Sequence, residues 1–598
     1  MKLKTHDDRL TLTNGNYHSL VKSRKPKGIE DKTATIIGTG IAGLAAGCFL
    51  IKDAHMDGSK ITFLEQLDIP GGSLDGIYKK NLGYIARGGR EMGHHFEVLW
   101  DLFSGIPSAE DPENMSILDY YFYTNLDDPN YSNCRITKNQ GERHDNGKFN
   151  LGQDLAKELA AFVNIPDVEL QDKAIEDIFS EELLNTDFWT FWRTMFAFEN
   201  WHSALEMKLY MNRFIHHVGG LPDLSALQFS RYDQYTSFVL PMIKYLKDHG
   251  AKFEYGVTVE NVQFSISDNK KVATKIEAVD TKGKDISIDL TENDLVFITN
   301  GSMTENSGYG DDDTPAPFNK EATGSWELWK NIAAQCDEFG HPEVFCSDVE
   351  KSNWESCTVT CHDESVPKYI EKITKRTPYG GRTVTGGIVT AVDSSWLMSW
   401  TINRQGQYME QPEKDVVVWV YGLFSDTPGD YIKKPMRDCT GKEITKEWLY
   451  HIGVPEGEIE KLAETCSAVP VMMPFITSQF MPRSFGDRPY VVPKNAMNFA
   501  FLGQYAETLD DPNRDTIFTT EYSGRTAMEA VYVLTGVEKG VPEVYASRYD
   551  VRYLLNAGSS LLDGEKPDLD LPPPVRRKIM KQLAGTEVEL LLKEYNII

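Results

Sequence analysis

Gly38, Gly40 and Gly43 form a G-x-G-x-x-G turn between the β-branched run TATII and the Ala- and Leu-rich stretch IAGLAAGCFL. In that context the spacing has a chemical meaning. The glycines let a pyrophosphate approach the backbone, and the start of the following helix, at Ile41 and Ala42, offers it unpaired amides. A side chain at Gly43 is accordingly expected to meet the pyrophosphate and weaken binding. The next β-like run, KITFLEQ, ends near Glu65, about 20 residues on, where a carboxylate can accept hydrogen bonds from ribose hydroxyls. Gly71, Gly72 and Ser73 follow within the same loop.

A second cluster, Arg87-Gly88-Gly89-Arg90-Glu91-Met92, combines cations, a carboxylate and a pair of glycines. The glycines let the backbone approach a ring, and the arginines can offset phosphate charge. On residue type alone Glu91 reads as a helix-start carboxylate or an arginine partner. Tyr210, in the helix-like EMKLYMNRF, reads as a core tyrosine. The aromatics Phe188, Trp189, Phe191, Trp192, Phe196, Phe198 and Trp201 read first as core and second as the wall of an apolar tunnel. Cys357, Cys361 and His362 invite a zinc reading, but no second ligand pair of matched spacing accompanies them, so no metal is expected. The pairs His94-His95 and His216-His217 read as solvated or packed histidines, with an active-site entrance as the alternative. No nucleophile elbow or P-loop is present in the sequence.

The elements that must position these groups alternate in type. A strand, helix, strand opening over residues 33–66 is the first unit of a doubly wound sheet. Residues 152–250 read mainly as helix, and 252–299 as a small β-meander. The piece SGYGDDDTPAPFN, 307–319, reads as an exposed loop or lid. NFAFLGQ returns as a buried strand, a helix begins near Thr520, and one last helix runs from roughly 575 to 595.

Bulk properties narrow the class. The chain has 598 residues, 41% hydrophobic and 25% charged, with a mean hydropathy of −0.40, which is globular composition. Length suits three or four structural units. No apolar run of about 18 residues exists, so no membrane-spanning helix is expected. The first thirty residues lack an apolar h-region, so no secretory signal is expected. Eight scattered cysteines suit a reducing compartment, and a cytoplasmic location is expected. A net charge of −27 argues against a nucleic-acid partner.

The late element FLGQYAE…TIFTTEYSGRTAMEA resembles flavoproteins of the glutathione-reductase and amine-oxidase type, in which early and late segments jointly hold FAD. The expected fold is therefore α/β: a discontinuous Rossmann-like FAD domain, a mixed α+β substrate domain and a helical C-terminal extension. The FAD domain is expected over 30–110, 246–305 and 481–545, the substrate domain over 111–245 and 306–480, and the extension over 546–598. The strings RGGREM, EMKLYMNRF, YGLFSDTPGDYIKKPMRDCTG, PVMMPFITSQFMPR and TTEYSGRTAMEAVY resemble the oleate hydratases, the fatty acid hydratases once labelled myosin-cross-reactive antigens. The resemblance runs from about residue 30 to the C-terminus.

The resemblance implies addition of water across the cis double bond of an unsaturated long-chain fatty acid such as oleate, giving a 10-hydroxy acid. Glu91 would activate water and Tyr210 would protonate the alkene. FAD, working in its reduced form, would orient these groups rather than accept hydride. Its contacts would extend to Gly72, Ser73, Arg90, Met92, Val259, Ser302, Gly503, Thr520 and Ser523. The carboxylate end of the substrate would meet Gln234, Thr401 and Asn403, and Gln407 stands where the family pattern carries histidine. A homodimer is implied, as is peripheral membrane contact through the basic, amphipathic tail VRRKIMKQL; that tail docking on the body or on a second subunit is the alternative. The rival functions are a flavin-dependent double-bond isomerase, an amine oxidase and a catalytically idle flavin-binding surface antigen.

Overall fold

A computed structural model describes residues 9–13, 20–74, 76, 78–144, 147–380, 387–508, 514–568 and 571–598. The β-branched run forms strand β1 (Thr33–Ile37) and the glycine turn leads into helix α1 (Ile41–Lys52). Then come β2 (Ile61–Glu65), helix α2 (Ala204–Phe214) and the strands β3 (Lys252–Tyr255), β4 (Asp294–Thr299) and β5 (Phe499–Leu502). Helix α3 spans Thr520–Thr535. The five strands make one sheet in the order β5-β4-β1-β2-β3, every pair parallel. A parallel sheet must be covered on both faces, and α1 shows what such cover requires. Ile41 through Leu50 are all buried, between the sheet and helices α3 and Leu240–Asp248.

Two glycines set the close packing at the start of this sheet. Gly38 has φ 90°, and a Cβ there would run into Thr299 Oγ1 at the end of β4. A Cβ on Gly43 would strike the Gly38 carbonyl oxygen and stand 3.2 Å from Ile36 Cγ2. Gly43 thus lets α1 lie against β1.

A second sheet of eight strands runs Gly308–Tyr309, Cys466–Met473, Trp354–Cys361, Val416–Gly422, Met398–Thr401, Val389–Ala391, Ile136–Lys138 and Glu142–Arg143 in spatial order. Its main pairings are antiparallel. Helix α2 and the aromatic helix Asp187–Phe196 share a separate hydrophobic core.

Three expectations change. The meander over 252–299 is split: its first and last strands enter the parallel sheet, and only Val257–Ser267, Lys270–Asp280 and Asp285–Asp289 form a separate antiparallel sheet. The piece 307–319 is docked rather than lid-like. Gly308 and Tyr309 pair with Met472 and Val471, and the Ala468 N–H donates to Asp312 Oδ1 at 2.8 Å. The terminal helix is two helices, Pro573–Leu583 and Glu587–Glu594, parted by Gly585 at φ 79° and restarted by a Thr586 cap. No helix of the described residues is long and apolar enough to cross a membrane.

Candidate functional site

The turn at 38–43 opens on a groove along the C-terminal ends of β1, β2 and β4, where ligands of open α/β sheets bind. Gly38, Gly40, Ile41, Ala42, Glu65, Gly72, Ser73, Val259 and Gly503 all border it. The two glycine turns are laced together, with the Gly71 N–H donating to the Thr39 carbonyl at 3.0 Å, and a Cβ on Gly72 would stand 3.0 Å from Gly40 Cα. Gly40 caps α1 without a side chain, so the first amides of the helix remain for a ligand. Glu65 does more than face the groove. Thr39 N–H and Oγ1–H donate to its Oε2 at 2.8 and 2.5 Å, and the Leu67 N–H donates to Oε1 at 3.0 Å, so the carboxylate braces the glycine loop. A trough of small residues at a helix N-terminus fits an adenine dinucleotide.

Gly43 and Ser302 are placed differently from the expectation. Gly43 lies behind the turn, in the packing of α1 on β1. Ser302 is buried, its N–H bonded to Asn300 Oδ1 at 3.0 Å, while its neighbours Asn300, Gly301, Met303 and Thr304 border the groove. Those four, and Gln504, had no signal in the sequence beyond their place after a strand.

The groove continues into an apolar cavity. Ile41, Ser73, Arg87, Met303, Thr304, Gln504 and Ser523 border both. Glu91 and Tyr210 wall this one cavity, with Phe196, Phe214, Trp354, Trp419 and Met473 supplying its apolar surface and Thr520 lying at the start of α3. Arg90 and Met92 border it too. Phe196 is thus the member of the aromatic run that meets the cavity, whereas Phe188, Trp189, Phe191, Trp192 and Phe198 are buried core.

The RGGREM segment holds Glu91 by its backbone. Arg90 sits at φ 59°, a left-handed conformation that costs a non-glycine residue. Its guanidinium donates to the Ser73 carbonyl, and Met92 exchanges two 2.9 Å hydrogen bonds with Gln228. The carboxylate folds back over Gly89, where a Cβ would come within 2.5 Å of Oε1 and 2.6 Å of Oε2. Oε1 is buried, with no hydrogen-bond partner among the described residues. Burial pushes the Glu91 pKa above the usual carboxylate value, and the Arg90 and Arg135 charges pull it back.

Tyr210 is buried on α2 among Phe196, Phe198 and Phe480, its ring edge-to-face with each at 5.1–5.5 Å. Burial raises its pKa well above the phenol value, so the hydroxyl stays protonated. The Phe518 N–H donates to Tyr210 Oη at 3.0 Å, a contact with no sequence signal. His217 also borders the cavity; burial holds its pKa down at about 3, and its Nε2 is buried with no partner among the described residues.

Beside the cavity lies a smaller pocket, bordered by Gln234, Asn403 and Gln407 and sharing Arg87, Arg90 and Gln234 with the cavity. Gln234 Nε2 donates to the Arg90 carbonyl at 3.1 Å; its Oε1 and Asn403 Oδ1 are buried and find no partner among the described residues. Gln234 immediately precedes a π-helical turn, Tyr235–Val239, a feature often found at functional sites. Thr401 stands apart from this group. It is buried, and its hydroxyl donates to the Gly387 carbonyl at 3.0 Å. Cys357 and Cys361 lie in the core of the second sheet, and His362 is engaged by Asp415 and Ser467 at 3.3 and 2.9 Å.

The site of this α/β fold is a glycine-turn groove opening into an apolar cavity with a buried acid and a buried phenol. The chain belongs to the MCRA family, whose model matches residues 31–532. It is 48% identical over 593 residues to an oleate hydratase of Streptococcus pyogenes serotype M49 (strain NZ131), covering 98% of this chain and 100% of that one. It is 30% identical to a linoleate hydratase of Lactiplantibacillus plantarum over 566 residues, 89% of this chain and 98% of that one. Among solved structures, cyclohexylamine oxidase from Brevibacterium oxydans IH-35A matches 84% of this chain and 99% of its own at 11% identity, with a TM-score of 0.46.

Proposed function

We propose that this protein is a hydratase of unsaturated long-chain fatty acids, such as oleate, acting from the cavity that joins Glu91 and Tyr210. The observation that carries this reading is the convergence of those two side chains, from distant parts of the chain, on one apolar chamber beside the nucleotide groove. Identity of 48% to an oleate hydratase over nearly the full length supports it.

Water lies between a base and an alkene that is itself too weak a base to take a proton unaided. Glu91 accepts a proton from water as the water oxygen bonds to one alkene carbon, and the Tyr210 hydroxyl gives its proton to the other carbon. The product is the hydroxy acid, with no net oxidation. Burial suits both roles. It makes the Glu91 carboxylate a stronger base than in water, and it keeps Tyr210 protonated until reaction. The Phe518 N–H already points at Tyr210 Oη and stabilises the phenolate left behind. The proton on Glu91 then returns to Tyr210, restoring both groups.

FAD is the dinucleotide proposed for the groove, with Gly38, Gly40, Glu65, Gly72 and Gly503 at its adenosine and pyrophosphate and Ser73, Arg90, Met92, Thr520 and Ser523 toward its ring. Bound there in its reduced form, it supplies an ordered, charged wall that shapes the chamber. The acid end of the substrate enters the pocket of Gln234, Asn403 and Gln407, and 10-hydroxystearate is the expected product from oleate. The two C-terminal helices, with Val588 and Leu590 exposed, are the proposed contact with a membrane surface or a second subunit.

The test is incubation of flavin-loaded protein with oleic acid in labelled water. The product is expected to gain one water with the label at the hydroxyl, without hydrogen peroxide. Unchanged mass with a moved double bond would favour an isomerase instead, and oxygen uptake an oxidase.

A further inference from the structure

The three side chains proposed to hold the acid end, Gln234, Asn403 and Gln407, are neutral amides, and a carboxylate leaving water needs charge as well as hydrogen bonds. Four arginines border their pocket, and three are committed to the fold. Arg404 is fully buried and donates from Nε to Asp128 Oδ2 at 3.0 Å. Arg87 donates to the Gly72 carbonyl at 2.7 Å, and Arg90 donates to the Ser73 carbonyl, both toward the nucleotide groove. Arg231 is different. Among the described residues no carboxylate lies within ion-pair distance of it. It is half-buried, its Nη1 reaches only the carbonyls of Gly406 and Gln405 at 3.2 and 3.4 Å, and its guanidinium lies 4.7 Å above the Tyr232 ring.

Asp233 borders the same pocket and Glu110 feels the Arg231 charge, but neither lies within ion-pair distance of it, and both carboxylates take hydrogen bonds from other groups. Asp233 accepts from Thr236 N–H and Oγ1–H at 3.0 and 2.7 Å. Glu110 accepts from Ser237 Oγ at 3.5 Å. The Asp233 N–H donates to the Gln407 carbonyl at 2.8 Å, so the 231–234 segment and the 403–407 loop form one wall. A guanidinium held by carbonyls and an aromatic face keeps donors for a planar anion.

We propose that Arg231 is the residue that makes this protein select an anionic chain end, supplying the charge that Gln234, Asn403 and Gln407 lack; this rests on the hydratase reading above. Selectivity then resides in a group that can be changed without touching Glu91, Tyr210 or the nucleotide groove.

The experiment compares oleic acid, methyl oleate and oleyl alcohol as substrates, and measures binding of stearic acid, which cannot react, by calorimetry on the flavin-loaded protein. R231M is expected to raise KM for oleic acid and weaken stearic acid binding about ten- to hundred-fold, the value of a charge-assisted hydrogen bond. It should leave kcat within a few-fold and the ester and alcohol unchanged, and R231K should recover most of the loss. Equal losses on acid, ester and alcohol, or undiminished stearic acid binding by a folded R231M protein, overturn the proposal. If the unaltered protein hydrates none of these substrates, the hydratase reading fails, while stearic acid binding still decides the role of Arg231.

Discussion

The Glu91 carboxylate lies over a glycine, which makes the smallest possible change at residue scale informative. Gly89→Ala places a methyl group within 2.5 Å of Glu91 Oε1, and only that flexible side chain has to move. The protein should stay folded, with a melting temperature close to that of the parent, while hydration falls at least ten-fold, roughly the cost of a misplaced base. Glu91→Gln and Tyr210→Phe remove the proton acceptor and the proton donor. Each is expected to lower kcat by about a hundred-fold or more while flavin binding, followed by visible absorbance, persists. Normal rates in both variants would defeat the roles assigned to them. These two residues are legible in the sequence only through family strings, because their types and spacing alone fit ordinary structural duties. Arg231 and Phe518 carried no such signal, since one is set apart by having carbonyls and a ring rather than a carboxylate beside it and the other meets Tyr210 through its backbone.

At the scale of elements, Gly43 and His451 give the tests. A side chain at Gly43 meets the Gly38 carbonyl and Ile36 before any ligand. Gly43→Val should therefore push α1 off β1 and lower stability by about 1–3 kcal/mol or more, measurable by denaturant unfolding without flavin. If only flavin affinity fell, the packing role would be refuted. His451, in the helix Gly441–His451, lies 3.3 Å from both Asp430 and Glu447 and ties the loop around residue 430 to that helix. Burial opposes its charge, but those two carboxylates prevail and raise its pKa to about 9. A folded-state pKa above the unfolded value means the stabilisation is complete below about pH 6.5 and fades as pH rises through about 9, at most about 3 kcal/mol in all. The melting temperature should fall across that window, and His451→Gln should flatten the fall. The strand, glycine turn and helix at 33–52 were readable from composition and order. The division of 252–299 between two sheets was not, because each strand alternates acceptably and only its partners say which sheet it joins.

Across the whole molecule, three spaces meet: the glycine-turn groove, the apolar cavity of Glu91 and Tyr210, and the pocket of Gln234, Asn403 and Gln407, with Arg87 bordering all of them. The C-terminal helices Pro573–Leu583 and Glu587–Glu594 stand outside that assembly and bury none of their residues. Removal of 571–598 should leave the melting temperature within about 2 °C, since little apolar area is lost from the core, while binding to anionic vesicles, read by co-sedimentation, should drop. A large loss of stability would place those helices on the body instead.

The sequence by itself determined the opening strand, glycine turn and helix, because hydrophobic period, β-branching and glycine placement act over a few neighbouring residues. It also determined the family, because long strings of identical residues carry more than any spacing rule. Tertiary structure alone decided which side chains share a cavity, that Gly43 serves packing, that Thr401 turns to the Gly387 carbonyl, and that Arg231 meets no carboxylate. Burial, ion pairing and close approach are relations between segments far apart in the chain, and no local pattern encodes them.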